Sequence, residues 1–185
     1  MFFSIGHSNR NLAQLITMLR AHDIDVLADV RGGAAGSRMF PHFNSSELKI
    51  TIPNNDISYV HLRALGGRRP KNRFVDQTLN DAWRVEAFKN YADAACTCPM
   101  FAEEMEELVA LGTAGNVAYM CAEAVPWRCH RTIITDYLIL VHDQKVTHIL
   151  GEKQTMEARP NKHAVLRGDK VVYPSKTLVD DFFDL

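Results

Sequence analysis

The sequence predicts an α/β domain, a mainly parallel sheet flanked by helices and finished by a C-terminal hairpin. Two observations carry that expectation. Short apolar runs alternate along the chain with segments whose apolar residues recur at helical spacing. The runs are apolar at consecutive positions, as in strands buried on both faces, which is the habit of parallel sheets. With 185 residues the chain is expected to form one domain, 1–185, large enough to bury a core without covalent staples.

Phe2–Ile5, stopped by Gly6, reads as the first strand, with Ser8 or Asn9 as the N-cap of the first helix. Leu12, Leu15, Ile16 and Leu19 then give a helical stripe that ends near His22. Val26–Val30 is a second buried strand, and Arg31–Asn44 a long Gly-rich loop. Ser45 or Ser46 caps a short helix, and Ile57–Leu62 is a third strand. Residues 71–82 are polar and irregular. Val85, Phe88, Tyr91 and Ala92 mark a helix broken near Pro99, and Phe101–Leu111 a second one ended by Gly112. The glutamates 103, 104, 106 and 107 read as its solvated face. Val117–Cys121 is a fourth strand, and a helix follows from Arg128. Val146–Leu150 is another strand, 151–163 a loop, and Ala164–Leu166 with Val171–Tyr173 the terminal hairpin.

Composition limits the function classes. The 21 basic residues nearly balance the 22 acidic ones, so no global field pulls the protein toward nucleic acid or a membrane. No apolar stretch approaches the roughly 18 residues of a membrane span, and the N-terminus lacks the pattern of a secretory signal. Four cysteines are too few for a disulfide scaffold in a chain of this length. Reduced thiols and a cytoplasmic location are expected.

In open parallel sheets, ligands bind beyond the C-terminal ends of the strands. Here those ends carry His7, then Asp29 and Arg31, then His61 and Arg63, and finally Cys121 and Glu123. The segment Asn116–Ile139 concentrates reactive groups most, adding Arg128, Cys129, His130 and Arg131 at a strand-to-helix turn. A helix N-terminus there favours anions and thiolates. Cys121 is therefore the candidate nucleophile or redox group, with Glu123 and His7 as acid–base partners. Glu123 could instead neutralise Arg131 or Arg31, and Asp29 could orient His7. The spacing fits a phosphatase cradle poorly, because the required arginine position holds Trp127 and Arg128 comes one residue late.

Asp29, Arg31, Arg38, His61, Arg63, Arg128 and Arg131 are the candidate substrate-binding residues, since guanidiniums grip phosphate and carboxylate bidentately. Phe40, Phe43 and Trp127 offer surfaces on which a base could stack. The expected partner is thus an anionic small molecule or nucleic acid, with no membrane partner. Cys129 and His130 together with Cys121 are also a candidate metal site. The sequence requires no cofactor, but a zinc or iron ion is what such donors would take.

GHSN at 6–9, ADVRGGAAGSRMFPHFN at 28–44, YVHLRALGGRR at 59–69 and CAEAVPWRCHR at 121–131 resemble the landmark motifs of the DUF488 family. FKNYADAACTCPMF at 88–101 matches in outline. The second motif departs from the family, whose members often carry a proline shortly after Asp-Val-Arg where this chain has Gly32-Gly33-Ala34-Ala35. This is a domain family of unknown function, so the resemblance implies a fold and a site position without a reaction. The leading expectation is an enzyme with a Cys/His/Arg-lined pocket at the sheet rim, acting on a nucleotide, nucleic acid or other phosphate-bearing substrate. A non-catalytic nucleic-acid-binding module and a Cys/His metal-binding protein are the alternatives.

Overall fold

The computed structural model describes residues 1–33 and 38–175. Ala34 and Ala35 of the atypical loop, and residues 176–185 of the expected domain, lie outside the described residues. The strands are β1 (Phe2–Gly6), β2 (Val26–Asp29), β3 (Ser58–His61), β4 (Val117–Cys121), β5 (Val146–Ile149), β6 (Thr155–Glu157), β7 (Val165–Arg167) and β8 (Lys170–Val172). The helices are α1 (Leu12–Arg20), α2 (Ser45–Thr51), α3 (Glu86–Thr97), α4 (Pro99–Ala114) and α5 (Arg131–Leu140). Six strands form one sheet in the order β3-β2-β4-β1-β5-β6, and β7 and β8 form a separate antiparallel hairpin. Within the sheet only β6 runs antiparallel to its neighbour. The expected α/β class, parallel sheet and hairpin are all present. No helix among the described residues is long and apolar enough to cross a membrane.

Every residue of β1 and β4 is buried, which explains their unbroken apolar runs: successive side chains enter opposite cores. Phe2, Val117 and Tyr119 pack with α3, α4 and α5, whereas Phe3, Ile5, Ala118 and Met120 pack with α1 and α2. Burying one side chain the size of Ile5 contributes about 1.5–3 kcal/mol.

The connections create a crevice. From β1 the chain crosses by α1 to β2 on one side, and from β4 it crosses by α5 to β5 on the other. β1 and β4 are neighbours, so the loops leaving them diverge onto opposite faces. That divergence is the topological switch point at which open α/β sheets bind ligands.

Several elements differ from the sequence reading. α1 is capped by Asn11, whose side chain accepts from Gln14 N while Gln14 answers to Asn11 N, in place of Ser8 or Asn9. Ser8 instead extends the β1–β4 pairing through its N–H, at a positive φ of 51°. α2 starts at Ser45, so its N-cap is Asn44 rather than a serine. α4 runs through Gly112 instead of ending there, and a glycine stands at that position because the Phe2 ring occupies the space a side chain would need. A short 3₁₀ turn over Pro126–Arg128 delays α5 to Arg131. The 151–163 segment contains β6, whose three exposed residues give no alternating apolar signal. Glu104 is not on a solvated face: its carboxylate accepts from Ala64 N and Leu65 N at 2.6 and 3.2 Å.

Candidate functional site

Parallel register brings the strand exits to one rim, and backbone pairing continues past them. His7 N donates to Cys121 O and Ser8 N to Ala122 O, both at 2.9 Å, while Val30 N donates to Met120 O at 3.0 Å. Gly6 permits the close approach, since a Cβ there would collide with Glu123 O.

On one side of the crevice Asp29 organises a buried polar network. It is completely buried and accepts from Arg31 N at 3.1 Å, Nε at 2.8 Å and a terminal guanidinium nitrogen at 2.6 Å. Tyr59 Oη donates to it at 2.8 Å. Burial alone would lower the Arg31 pKa, and the hydrogen bonds to Asp29 more than reverse this. The Arg31 guanidinium also donates to Phe43 O at 2.8 Å and meets His7 Nε2 at 3.2 Å. His7 Nδ1 lies 2.9 Å from Ser8 O. That pairing assigns the proton to Nδ1 and leaves Nε2 to accept from arginine. Burial, opposed by the bond to Ser8 and reinforced by the arginine charge, lowers the His7 pKa to about 4. Phe43 is buried and stacks on His7 at 4.2 Å between ring centroids, so it offers no face to a ligand. Asp29 thus reaches His7 only through Arg31.

Across the crevice is a sulfur–imidazole cluster. The turn over Pro126–Arg128 and the start of α5 carry Cys129 and His130 back toward the end of β4. His130 Nε2 lies 2.9 Å from Val30 O, so it holds the ring proton and donates it to that carbonyl. The lone pair on Nδ1 then faces two sulfurs, Cys129 Sγ at 3.5 Å and Cys121 Sγ at 3.8 Å. Their three donor atoms lie within 4.8 Å of one another, and no other such group of His, Cys, Asp or Glu occurs among the described residues. These are the residues that could hold a metal ion. Tyr91 flanks the imidazole at 5.2 Å between centroids. Gly67 lies against it so closely that a Cβ would come 2.5 Å from Nδ1.

Arg131, 1% exposed, anchors the cluster. Its Nε donates to Cys129 Sγ at 3.4 Å, and its terminal nitrogens to Ser4 Oγ at 2.9 Å and Glu123 O at 2.5 Å. The two buried thiols pull their pKa values apart, Cys129 downward and Cys121 upward. The adjoining Cys121 thiol, followed by the neighbouring His130 and Arg131, lowers the Cys129 pKa against the effect of burial. Cys121 moves up, because the second thiol stands beside it and it is itself buried.

The remaining candidates occupy different roles or places. The Glu123 side chain is exposed and only its carbonyl meets Arg131. The expected Glu123–arginine ion pair is not formed; Arg31 pairs with Asp29. His61 Nε2 lies 2.9 Å from Arg31 O, placing it on the Asp29 side. Arg38, Arg63 and Arg128 are exposed. Trp127, 56% exposed, forms one wall of a cleft of about 320 Å³ that also includes Arg159, Lys162 and His163. From the sequence His163 reads as an ordinary surface residue, and Arg159 and Lys162 sit in a segment, 151–163, with no motif and no periodicity. Isolated charges in a polar segment give no signal until the chain folds.

A family model described as "Domain of unknown function DUF488" matches residues 11–138. That span includes Asp29, Arg31 and the cluster from Cys121 to Arg131, and excludes His7 and Arg159. Neither the curated proteins nor the solved structures include a match to this chain. With more than half of its length matched, the chain belongs to the DUF488 family.

Proposed function

We propose that this protein is an enzyme whose chemistry is carried by the Cys121–Cys129–His130 cluster, acting on an anionic substrate at the sheet rim. One observation carries the reading: two sulfurs and an imidazole lone pair converge at the switch-point crevice, with a guanidinium against one sulfur. Packing alone gives no reason to bring two sulfurs, an imidazole lone pair and a guanidinium together in a buried turn, because buried polar groups are costly unless compensated. His7, kept neutral by burial and bonded to Arg31, positions that arginine and does not shuttle protons near neutral pH. Exposed Arg63 and Arg128 are the cations offered to the substrate's negative group, while Arg159 lines the separate Trp127 cleft. Arg31 and Arg131 serve from behind, their donors already used by Asp29, Phe43, Ser4 and Glu123.

The test is turnover across a panel of nucleotides and phosphate esters with the native protein, Cys121→Ser, Cys129→Ser and Cys98→Ser. Loss of turnover in the first two variants, with melting temperatures close to native and Cys98→Ser unaffected, supports the reading. A substrate processed equally well by Cys129→Ser would sink it.

A further inference from the structure

We infer that Cys121, Cys129 and His130 are three ligands of a zinc ion, with the fourth coordination position left for water or the substrate anion. The inference rests on the proposed catalytic role of the cluster and names the cofactor it would use.

Zinc binds thiolate at about 2.3 Å and imidazole nitrogen at about 2.0–2.1 Å, in a tetrahedron. Such a tetrahedron has S···N edges of about 3.5–3.6 Å and an S···S edge of about 3.8 Å, by trigonometry from those bond lengths. The S···N separations here are 3.5 and 3.8 Å, and all three donor atoms fall within 4.8 Å. The two S···N separations therefore come close to tetrahedral edges, and the third edge is bounded at 4.8 Å.

Hydrogen bonding alone explains this arrangement less well. Nδ1 has one lone pair and can accept one S–H, yet two sulfurs face it. A single cation at the centre satisfies all three donors together. The surroundings are those of a metal ligand set. The second imidazole nitrogen donates to Val30 O, the outer contact that fixes the tautomer of a ligating histidine. Arg131 Nε donates to Cys129 Sγ, which suits a ligating thiolate. Two thiolates also neutralise a divalent cation in a buried setting, and each thiol that becomes a ligand gives its proton to solvent.

Thiolate and imidazole donors select zinc over calcium or magnesium. Three protein ligands with one open position is the arrangement of catalytic zinc sites, where bound water becomes a nucleophile near neutral pH. The chemistry implied is hydrolysis by an activated water, with the cysteines as ligands and not as attacking groups.

The experiment uses the whole chain, purified with chelator and kept reduced, then titrated with zinc against a competing chelator. X-ray absorption of the zinc-loaded protein reads the first shell. The expected result is one zinc per chain, with two sulfurs at about 2.3 Å and one imidazole at about 2.0–2.1 Å. Cys121→Ser, Cys129→Ser and His130→Gln should each weaken binding at least tenfold, and Cys98→Ser should bind like the native protein. Should a cluster variant misfold, the absorption spectrum of the native protein still decides. No stoichiometric uptake, or a shell without sulfur, overturns the inference. Turnover that persists in chelated, zinc-free protein removes the metal but keeps the enzyme. Zinc in the expected shell, beside turnover that survives Cys129→Ser, removes the catalytic role but keeps the site.

Discussion

Replacing Asp29 by alanine isolates the polar side of the crevice. The carboxylate is completely buried and accepts three bonds from Arg31 and one from Tyr59. Without it, Arg31 remains 9% exposed with its charge uncompensated. Breaking a buried pair by removing one partner costs about 3–5 kcal/mol. A domain of this size loses about 2–4 °C of melting temperature per kcal/mol, so the fall should be about 6–20 °C. Tyr59→Phe removes a single hydrogen bond and should cost about 1 kcal/mol. Its effect in the Asp29→Ala background should be smaller, since the hydroxyl has already lost its acceptor. Urea unfolding of the four proteins, compared at matched slopes, measures all of this. An Asp29→Ala cost below about 1 kcal/mol would refute the account of Arg31 as a buried, paired charge.

Three further outcomes are expected. Burial raises the Asp136 carboxyl to about 6, against about 3.9 unfolded. A raised folded pKa gives stability that is complete below about pH 4 and lost as pH rises through 6, about 3 kcal/mol in all. The stability difference between native protein and Asp136→Asn should therefore grow as pH falls from 7 to 4, and a flat difference would contradict it. His7 behaves oppositely: its pKa of about 4 makes its contribution complete above about 6.5 and lost as pH falls toward 4. Imidazole NMR should show a neutral Nδ1–H ring titrating near 4, whereas a midpoint near 6.5 would exclude the Arg31–His7 bond as described. Gly67→Ala would put a Cβ 2.5 Å from His130 Nδ1, so the ring must swing away from Val30 O. Zinc affinity should fall at least tenfold, with an overpacking cost of about 1–3 kcal/mol; unchanged affinity would mean the ring does not depend on that fit.

Much of this architecture is legible in the sequence, for a physical reason. Strands buried on both faces, such as β1 and β4, must be apolar throughout, and that pattern survives without any tertiary knowledge. The rim residues are legible with them, because a parallel sheet sends every strand end in one direction. The partners are not legible. Whether Asp29 serves His7 or Arg31, and whether Arg131 meets a carboxylate or the main-chain oxygen of Glu123, is decided by distances between segments far apart in the chain. Which of Cys121 and Cys129 has its pKa lowered has the same origin: the shift depends on the second thiol and on Arg131, neither of which spacing alone can position. β6 escaped because an exposed edge strand carries no apolar period.

The bond from His130 to Val30 has a consequence for how this site tolerates change. The imidazole is held by a main-chain oxygen, and every residue type supplies that atom in the same place. The Val30 side chain, buried among the α3–α5 core, is therefore free to vary with core packing while the histidine keeps its aim. Constraint moves instead to positions that look inert: Gly6 and Gly67, where the smallest added side chain collides with Glu123 O or the ring itself. Random mutagenesis of this chain should thus find position 30 permissive to apolar replacement and these glycines intolerant. The map of sensitive positions would outline the site better than its reactive side chains alone.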